Sequence, residues 1–190
     1  MAVLLLSPHP ADIIIHTLTD EGDEVHIVEQ PLDLDGARER DAEWIVSYGY
    51  RHILREPLIS AYAGHIANLH IGYLPWGRGA HPNLWSWIEG TPKGVTIHEI
   101  DAGIDTGPIF VQRLVQFRPT ETLGSSQQRL RLALDELFAE FWRAIRSESM
   151  APRPQPPGGG YHRASEGRAI LDRLPLRYDT LVSQLQKFNA

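Results

Sequence analysis

The chain opens on Met1-Ala-Val-Leu-Leu-Leu6, an unbroken apolar run that stops at Ser7-Pro8-His9-Pro10. A strand with no polar alternation has no face to offer water, so this run reads as the buried central strand of a sheet covered on both sides. It carries no basic leader and is too short for a membrane span or a signal peptide. Pro8 or Pro10 can open a helix through Ile13, Ile14, Ile15 and Leu18, with a stop near Gly22. A second strand is expected at 24–28 and a third, buried one at Trp44-Ile-Val-Ser47, with a polar, Asp-rich loop and a short helical turn between them. The order β-α-β-β points to a parallel sheet in an α/β fold.

Further on, 57–63 reads as a short helix, 65–71 as a strand, and 82–89 as a helix opened by Pro82 and closed by Gly90. Two strands with period-two patterning follow at 95–101 and 109–117. The seven residues between them, Ala102-Gly-Ile-Asp-Thr-Gly-Pro108, are turn formers and make a shaped loop. Ser125 with Gln128 forms an expected capping box, and Leu130, Leu134, Leu137, Phe138, Phe141 and Ile145 then recur at helical spacing. That stripe faces the core. Residues 151–160, rich in Pro and Gly, read as a linker, and the last 30 residues are too few for an independent domain, so they pack back on the body or on a second copy of the chain.

Charge narrows the partners. With 18 Lys+Arg against 24 Asp+Glu among 190 residues, the net charge of -6 argues against a protein built to neutralise nucleic-acid phosphates. Small molecules are the better expectation. The absence of cysteine removes disulfides, thiolate ligands and a thiol nucleophile, and a cytoplasmic location is expected. Nine histidines raise the question of a metal, yet they show no ligand spacing, and none is expected.

The chemistry concentrates in Asn68-Leu-His70 and the loop Ile71-Gly-Tyr-Leu-Pro-Trp-Gly-Arg-Gly79. Side chains two apart on a strand share a face, so a carboxamide and an imidazole project together at the carboxyl end of a strand, where open α/β sheets place ligands. The loop adds an indole at Trp76, a guanidinium at Arg78 and backbone freedom at Gly77 and Gly79. Asp105, in the turn between the last two strands, is the carboxylate candidate, with Asp101 four residues earlier as its competitor. An Asp in a Gly-containing turn equally serves to cap local amides.

The blocks Asn68-Leu-His-Ile-Gly-Tyr-Leu-Pro-Trp-Gly-Arg-Gly-Ala-His-Pro-Asn83 and Gly94-Val-Thr-Ile-His-Glu-Ile-Asp-Ala-Gly-Ile-Asp-Thr-Gly-Pro108, with the spacing between them, resemble the folate-dependent formyltransferases. The likeness is loose from Trp44, close from Asn68 to about Gln116, and not evident in the last 40 or so residues. It implies a single formyltransferase-like, Rossmann-type domain over 1–150, with 151–190 as linker and extension, and N10-formyltetrahydrofolate as co-substrate. By the resemblance Asn68, His70 and Asp105 match the family's catalytic triad. Donors aimed at the formyl oxygen lower the barrier to attack by an amine, because they need not reorganise as charge builds there. A carboxylate beside the imidazole holds its tautomer and helps remove the amine's proton.

The resemblance also places the folate. Its pterin loop looks like 48–54 continuing through 57–59, and with the loop before Asp105 it nominates His52, Leu54, Ile59, Leu74, Pro75, Ile100, Asp101 and Gly103. Tyr48, Tyr50 and Leu54 read equally as core residues behind the pocket. Trp76, Arg78, His81, Asn83 and His98 are the residues nominated for the acceptor, with His98 alternatively a satisfied polar group. The block 73–98 is most similar to enzymes that formylate nucleotide-linked amino sugars. Trp85 and Trp87 could face a sugar or base, but two residues apart in a helix they diverge, so at least one belongs to the core.

Two departures from the family matter. Ser7-Pro-His-Pro10 replaces the glycine-rich phosphate-gripping turn of the ribonucleotide enzyme, and no basic C-terminal domain of the tRNA enzyme's kind is seen, so initiator tRNA is not expected. The same constellation acting on water describes a hydrolase. An amine on some other small molecule and a folate-binding module without turnover are the remaining alternatives, and a homodimer is compatible with all of them.

Overall fold

Val3, Leu4, Leu5 and Leu6 are all fully buried, and they part company by parity. The odd pair faces Ile14, Leu18, Leu134, Phe138 and Trp142, whereas the even pair faces Ala37, Ile45, Leu58 and Ile66. A strand with two dry faces needs a layer on each, and the computed structural model, which describes residues 1–185, supplies them. Strands β1 (Ala2–Leu6), β2 (Glu24–Val28), β3 (Trp44–Tyr48) and β4 (Ile66–His70) pair in parallel in the order β2-β1-β3-β4. Helix α1 (Asp12–Asp20) and the long α5 (Leu123–Arg146) cover one face, and α2 (Leu34–Arg38) and α3 (Leu58–Ala61) cover the other. This is the expected α/β, Rossmann-type architecture.

After β4 the chain makes a two-residue strand β5 (Arg78–Gly79) and helix α4 (Pro82–Ile88), then returns as β6 (Gly94–Glu99) and β7 (Ile109–Leu114). Both are antiparallel to their neighbours, extending the sheet to β2-β1-β3-β4-β6-β7. Because β6 runs against β4, Asn68 lies directly across from His98 and His70 across from Thr96. On both strands the alternate residues, Ala67, Leu69, Val95 and Ile97, go to the core under α5. The same two-residue period thus turns all four polar side chains to the opposite face.

Helix α5 begins three residues before the expected start. Thr122 is its N-cap, accepting from Ser125 N at 3.1 Å, and Ser125 Oγ accepts from Thr122 N at 3.0 Å. Ser125 therefore plays the reciprocal part that Glu or Gln usually takes, and Gln128 is not needed. The pattern also missed Trp142, which is fully buried and donates from Nε1 to Asp23 Oδ2 at 2.9 Å. Asp23 in turn faces Arg146, so the end of α5 is tied to the start of β2 by a buried carboxylate with charged partners.

Beyond α5 the chain bridges the free edge of β7, with Arg153 and Ile109 exchanging both backbone hydrogen bonds at 2.7 and 2.8 Å. Strand β8 (Tyr161–His162) then pairs in parallel with β5. Helix α6 (Ala164–Arg173) and the short α7 (Val182–Leu185) bring Leu171, Leu174 and Leu185 against Leu84, Ile88 and Leu123. Of the extension assigned to 151–190, residues 186–190 lie outside the described part. Among the described residues no helix is long and apolar enough to cross a membrane.

Candidate active site

A cleft of about 540 Å³ opens at the carboxyl ends of β3 and β4, a volume typical of small-molecule sites. Its floor is built by Asn68 and His70 from β4, His98 from β6 and Asp105 from the turn after β6. Asp105 adopts a left-handed backbone, φ 53°, which is uncommon for a residue with a side chain. The turn is held from both sides. Asp101 accepts from Gly103 N at 3.0 Å and from Thr106 Oγ1 at 2.6 Å. Gln155 donates to Asp105 O at 2.8 Å and to Gly107 O at 2.9 Å. Asp101 is thus engaged within the turn, and Asp105 is the carboxylate that reaches the imidazoles.

The hydrogen bonds assign most of the protons. His98 Nδ1 lies 2.8 Å from Glu99 O, an atom that only accepts, so Nδ1 carries the hydrogen and Nε2 is left to accept from Asn68 Nδ2 at 3.1 Å. The second hydrogen of Asn68 Nδ2 points to Asp105 Oδ1 at 3.3 Å. Asp105 Oδ2 accepts from Gly79 N at 2.8 Å. By the same logic His70 Nε2 donates to Gly77 O at 3.0 Å, which leaves its Nδ1 facing Asp105 Oδ2 across 3.7 Å. One basic nitrogen, fixed in tautomer, therefore looks at a carboxylate.

Burial pushes the His70 pKa below the usual histidine value, with Asp105 opposing that shift and His98 adding to it. Burial would raise Asp105, but His70, His98 and the Gly79 amide outweigh it and hold the carboxyl well below the ordinary carboxylate range. At neutral pH the pair is an uncharged imidazole beside an ionised carboxylate. A proton arriving on His70 Nδ1 meets a negative charge already in place. Among the described residues no cluster of His, Asp and Glu has the makings of a metal site.

Of the residues nominated for the folate, His52, Leu54, Ile100, Asp101 and Gly103 lie in the cleft wall. Ile59 sits behind it in the cluster with Leu58 and Ile66. Leu74 and Pro75 are buried under the following loop, where Leu74 N donates to Thr96 Oγ1 at 3.2 Å and Leu74 O accepts from Gln112. Tyr48 points away, with its phenol beside Asp135, while Tyr50 does line the cleft.

The acceptor nominations divide more sharply. His98 belongs to the floor itself. Trp76 stacks on Tyr73 outside the cleft, with ring centroids 6.3 Å apart. Arg78 donates from Nε and Nη2 to Gln155 Oε1 at 3.2 and 2.7 Å, so its fork is spent inside the protein. His81 opens α4 from a left-handed backbone and lines a separate cavity of about 190 Å³ with Gln127 and Tyr178. Asn83 is buried, giving to Leu123 O and Ser126 Oγ and accepting from Trp87 Nε1. Trp85 and Trp87 both pack on the cluster around Leu84 and Ile88 rather than on the cleft.

Sequence reasoning missed Ser47, Tyr161 and His162, which line the cleft, and Gln155, which braces its floor; Gly49 and Arg51, also in the lining, fall within the loop 48–54. Ser47 had a signal, since β3 puts it beside Asn68. The others near the carboxyl end had none, because a two-residue strand following a Pro/Gly stretch leaves no periodicity to read.

The family description Formyl transferase matches residues 13–141. Methionyl-tRNA formyltransferase of Aromatoleum aromaticum is 30% identical over 152 residues, covering 75% of this chain and 47% of that protein. The dTDP-4-amino-4,6-dideoxyglucose formyltransferase of Mycobacterium bovis is 43% identical over 82 residues, covering 43% of this chain and 35% of that protein. The chain therefore spans less than half the length of either curated relative. The crystal structure of the formyltransferase PseJ from Anoxybacillus kamchatkensis, in complex with UDP-4,6-dideoxy-4-formamido-L-AltNAc and tetrahydrofolate, superposes with a TM-score of 0.94 at 39% identity and covers 100% of both chains. With the match extending over most of its length, the chain belongs to the formyl transferase family.

Proposed function

We propose that the protein transfers a formyl group from N10-formyltetrahydrofolate to the amine of a nucleotide-linked deoxy amino sugar, with catalysis carried by residues 1–150. The observation that carries this reading is the convergence of Asn68, His70, His98 and Asp105 on one cleft floor. The sugar is supported by the formamido sugar nucleotide bound in the A. kamchatkensis enzyme.

The cleft suits a flat, partly apolar co-substrate. Ile53 and Ile104 stand 64% and 38% exposed along it, apolar surface that a bound ring would cover. Beside them run the main chains of 49–54 and 100–104, where Ile100 N is tied to Ile66 O and Gly103 N to Asp101 Oδ1, leaving the loop carbonyls to meet the edge of such a ring. The co-substrate supplies the formyl carbon; the protein supplies position and charge.

Asn68 Nδ2 donates to the formyl oxygen as negative charge gathers there. Its 3.3 Å hydrogen bond to Asp105 is the longer of its two and the one exchanged for the substrate. His70 Nδ1 takes the proton that the attacking amine loses as the new C–N bond forms, with Asp105 holding the resulting imidazolium. It returns that proton to the leaving nitrogen as the old C–N bond breaks. The imidazolium also adds positive charge beside the oxygen.

The test is incubation of the purified protein with N10-formyltetrahydrofolate and UDP- or dTDP-linked 4-amino-4,6-dideoxy sugars, read by mass spectrometry of the acceptor. Formylated product is expected, formed at the rate at which folate is consumed. Formate release at the same rate with and without acceptor would identify a hydrolase and overturn the reading.

A further inference from the structure

Resting on the function proposed above, we infer that Tyr161 forms the acceptor-sugar platform, its exposed ring stacking on the pyranose that carries the reacting amine. The cleft has two unlike walls. One is the loop pair 49–54 and 100–104, and the other is Gly79, Ala80 and Pro82 with Tyr161, His162 and Ala164. Two substrates must meet over His70 and Asp105. With the folate along the first wall, the acceptor enters along the second.

Tyr161 is held in place from behind. Arg78 N donates to Gly160 O at 3.0 Å and Ala80 N to His162 O at 2.9 Å, which fixes β8 on β5. Successive residues of a strand face opposite ways, and His162 turns inward. Its ring stacks on Trp85 with centroids 3.8 Å apart and planes 9° apart, and its Nε2 is 2.7 Å from Glu89 Oε1. Tyr161 accordingly faces the cleft, 53% exposed. Its ring lies against Gly79, whose left-handed φ of 85° and lack of a side chain make the approach possible. A Cβ there would stand 2.8 and 3.0 Å from two ring carbons.

Gly79 also decides which part of the acceptor meets the ring. Its N–H holds Asp105 at 2.8 Å, so the Tyr161 ring lies within one residue of the proton-transfer pair. The sugar ring carries the amine, so it, rather than the nucleobase at the far end of the diphosphate, is the part of the acceptor that comes nearest this ring. The C–H face of a pyranose is apolar and matches the negative face of a phenol ring. The backbone is pinned and the ring has two rotatable bonds, so little freedom is lost on binding.

The test compares Tyr161→Ala and Tyr161→Phe. Steady-state kinetics with the UDP- and dTDP-linked amino sugars are combined with calorimetric affinities for tetrahydrofolate and for UDP-4,6-dideoxy-4-formamido-L-AltNAc. Tyr161→Ala is expected to raise the acceptor KM by about tenfold and to change kcat by less than about threefold, with Tyr161→Phe within about twofold of the parent. Folate affinity and thermal midpoint should stay at parental values, since the ring buries no core. An unchanged acceptor KM in Tyr161→Ala, or an equal loss of folate affinity, overturns the inference. If the parent formylates no sugar, the functional reading fails, and product binding alone then decides. Binding weakened about tenfold by Tyr161→Ala supports the platform, and equal binding or none overturns it.

Discussion

Replacing Asp105 by Asn removes one charge and little volume, which isolates the electrostatic part of the site. In the native arrangement the carboxylate accepts from Gly79 N at 2.8 Å and from Asn68 Nδ2 at 3.3 Å, and it faces His70 Nδ1 at 3.7 Å. An asparagine can accept through one oxygen only, and its NH₂ must confront either Asn68 Nδ2 or the Gly79 amide. Losing one charge-assisted hydrogen bond costs about 1.5–3 kcal/mol, or roughly 10- to 100-fold. The imidazolium that forms during proton transfer also loses its counter-charge, and removal of a general acid–base partner costs about 10²- to 10⁴-fold. The two effects overlap, so kcat should fall by about 10²- to 10⁴-fold while both KM values move by less than about threefold. Because Asp105 is what raises the His70 pKa against its burial, the variant's His70 should titrate lower still. Steady-state kinetics with an NMR titration of the imidazole read both outcomes. A kcat within about threefold of the parent, or a His70 pKa that rises, would refute the reasoning.

Two further predictions follow from the same neighbourhood. Gln155→Leu deletes the donors to Asp105 O and Gly107 O and frees Arg78, so kcat should drop by about tenfold with the folate KM little changed. Restoration by Gln155→Asn is not expected, since the shorter side chain cannot span the same partners, and a parental kcat in either variant would contradict the bracing role. The depressed His70 pKa also sets a pH dependence. Below about pH 6.5 the unfolded chain binds a proton that folded His70 resists, so this group subtracts stability as pH falls from there and contributes no slope above it. His70→Asn should accordingly show a smaller loss of thermal midpoint between neutral and mildly acidic buffer than the parent does. A slope equal to the parent's would mean that His70 is not the group responsible.

The strands and helices were legible because each is written in one local period. Val3–Leu6, Trp44–Ser47 and the α5 stripe depend on neighbours two to four residues apart, and burial of those patterns is what the fold rewards. The floor of the cleft was nearly as legible. Asn68 and His70 share a strand face by parity, and the resemblance nominated Asp105, with Asp101 four residues earlier as its competitor; the Gly103 and Thr106 contacts engage Asp101 within the turn. Arg78, Asn83 and Trp76 have partners inside the protein that the sequence could not show. A guanidinium, a carboxamide or an indole looks the same in sequence whether it awaits a ligand or has already found a partner inside the protein.

What the sequence determined alone is thus the layered sheet, its covering helices and the pair of side chains at the end of β4, all set by short-range periodicity. What only the tertiary structure decided is who meets that pair. His98 arrives because β6 runs antiparallel to β4 in one register, and Gln155 and Tyr161 arrive because the chain returns across the edge of β7 to pair with Arg78–Gly79. Contacts between residues 30 to 83 positions apart are fixed by the packing free energy of the whole domain, and no local pattern records them.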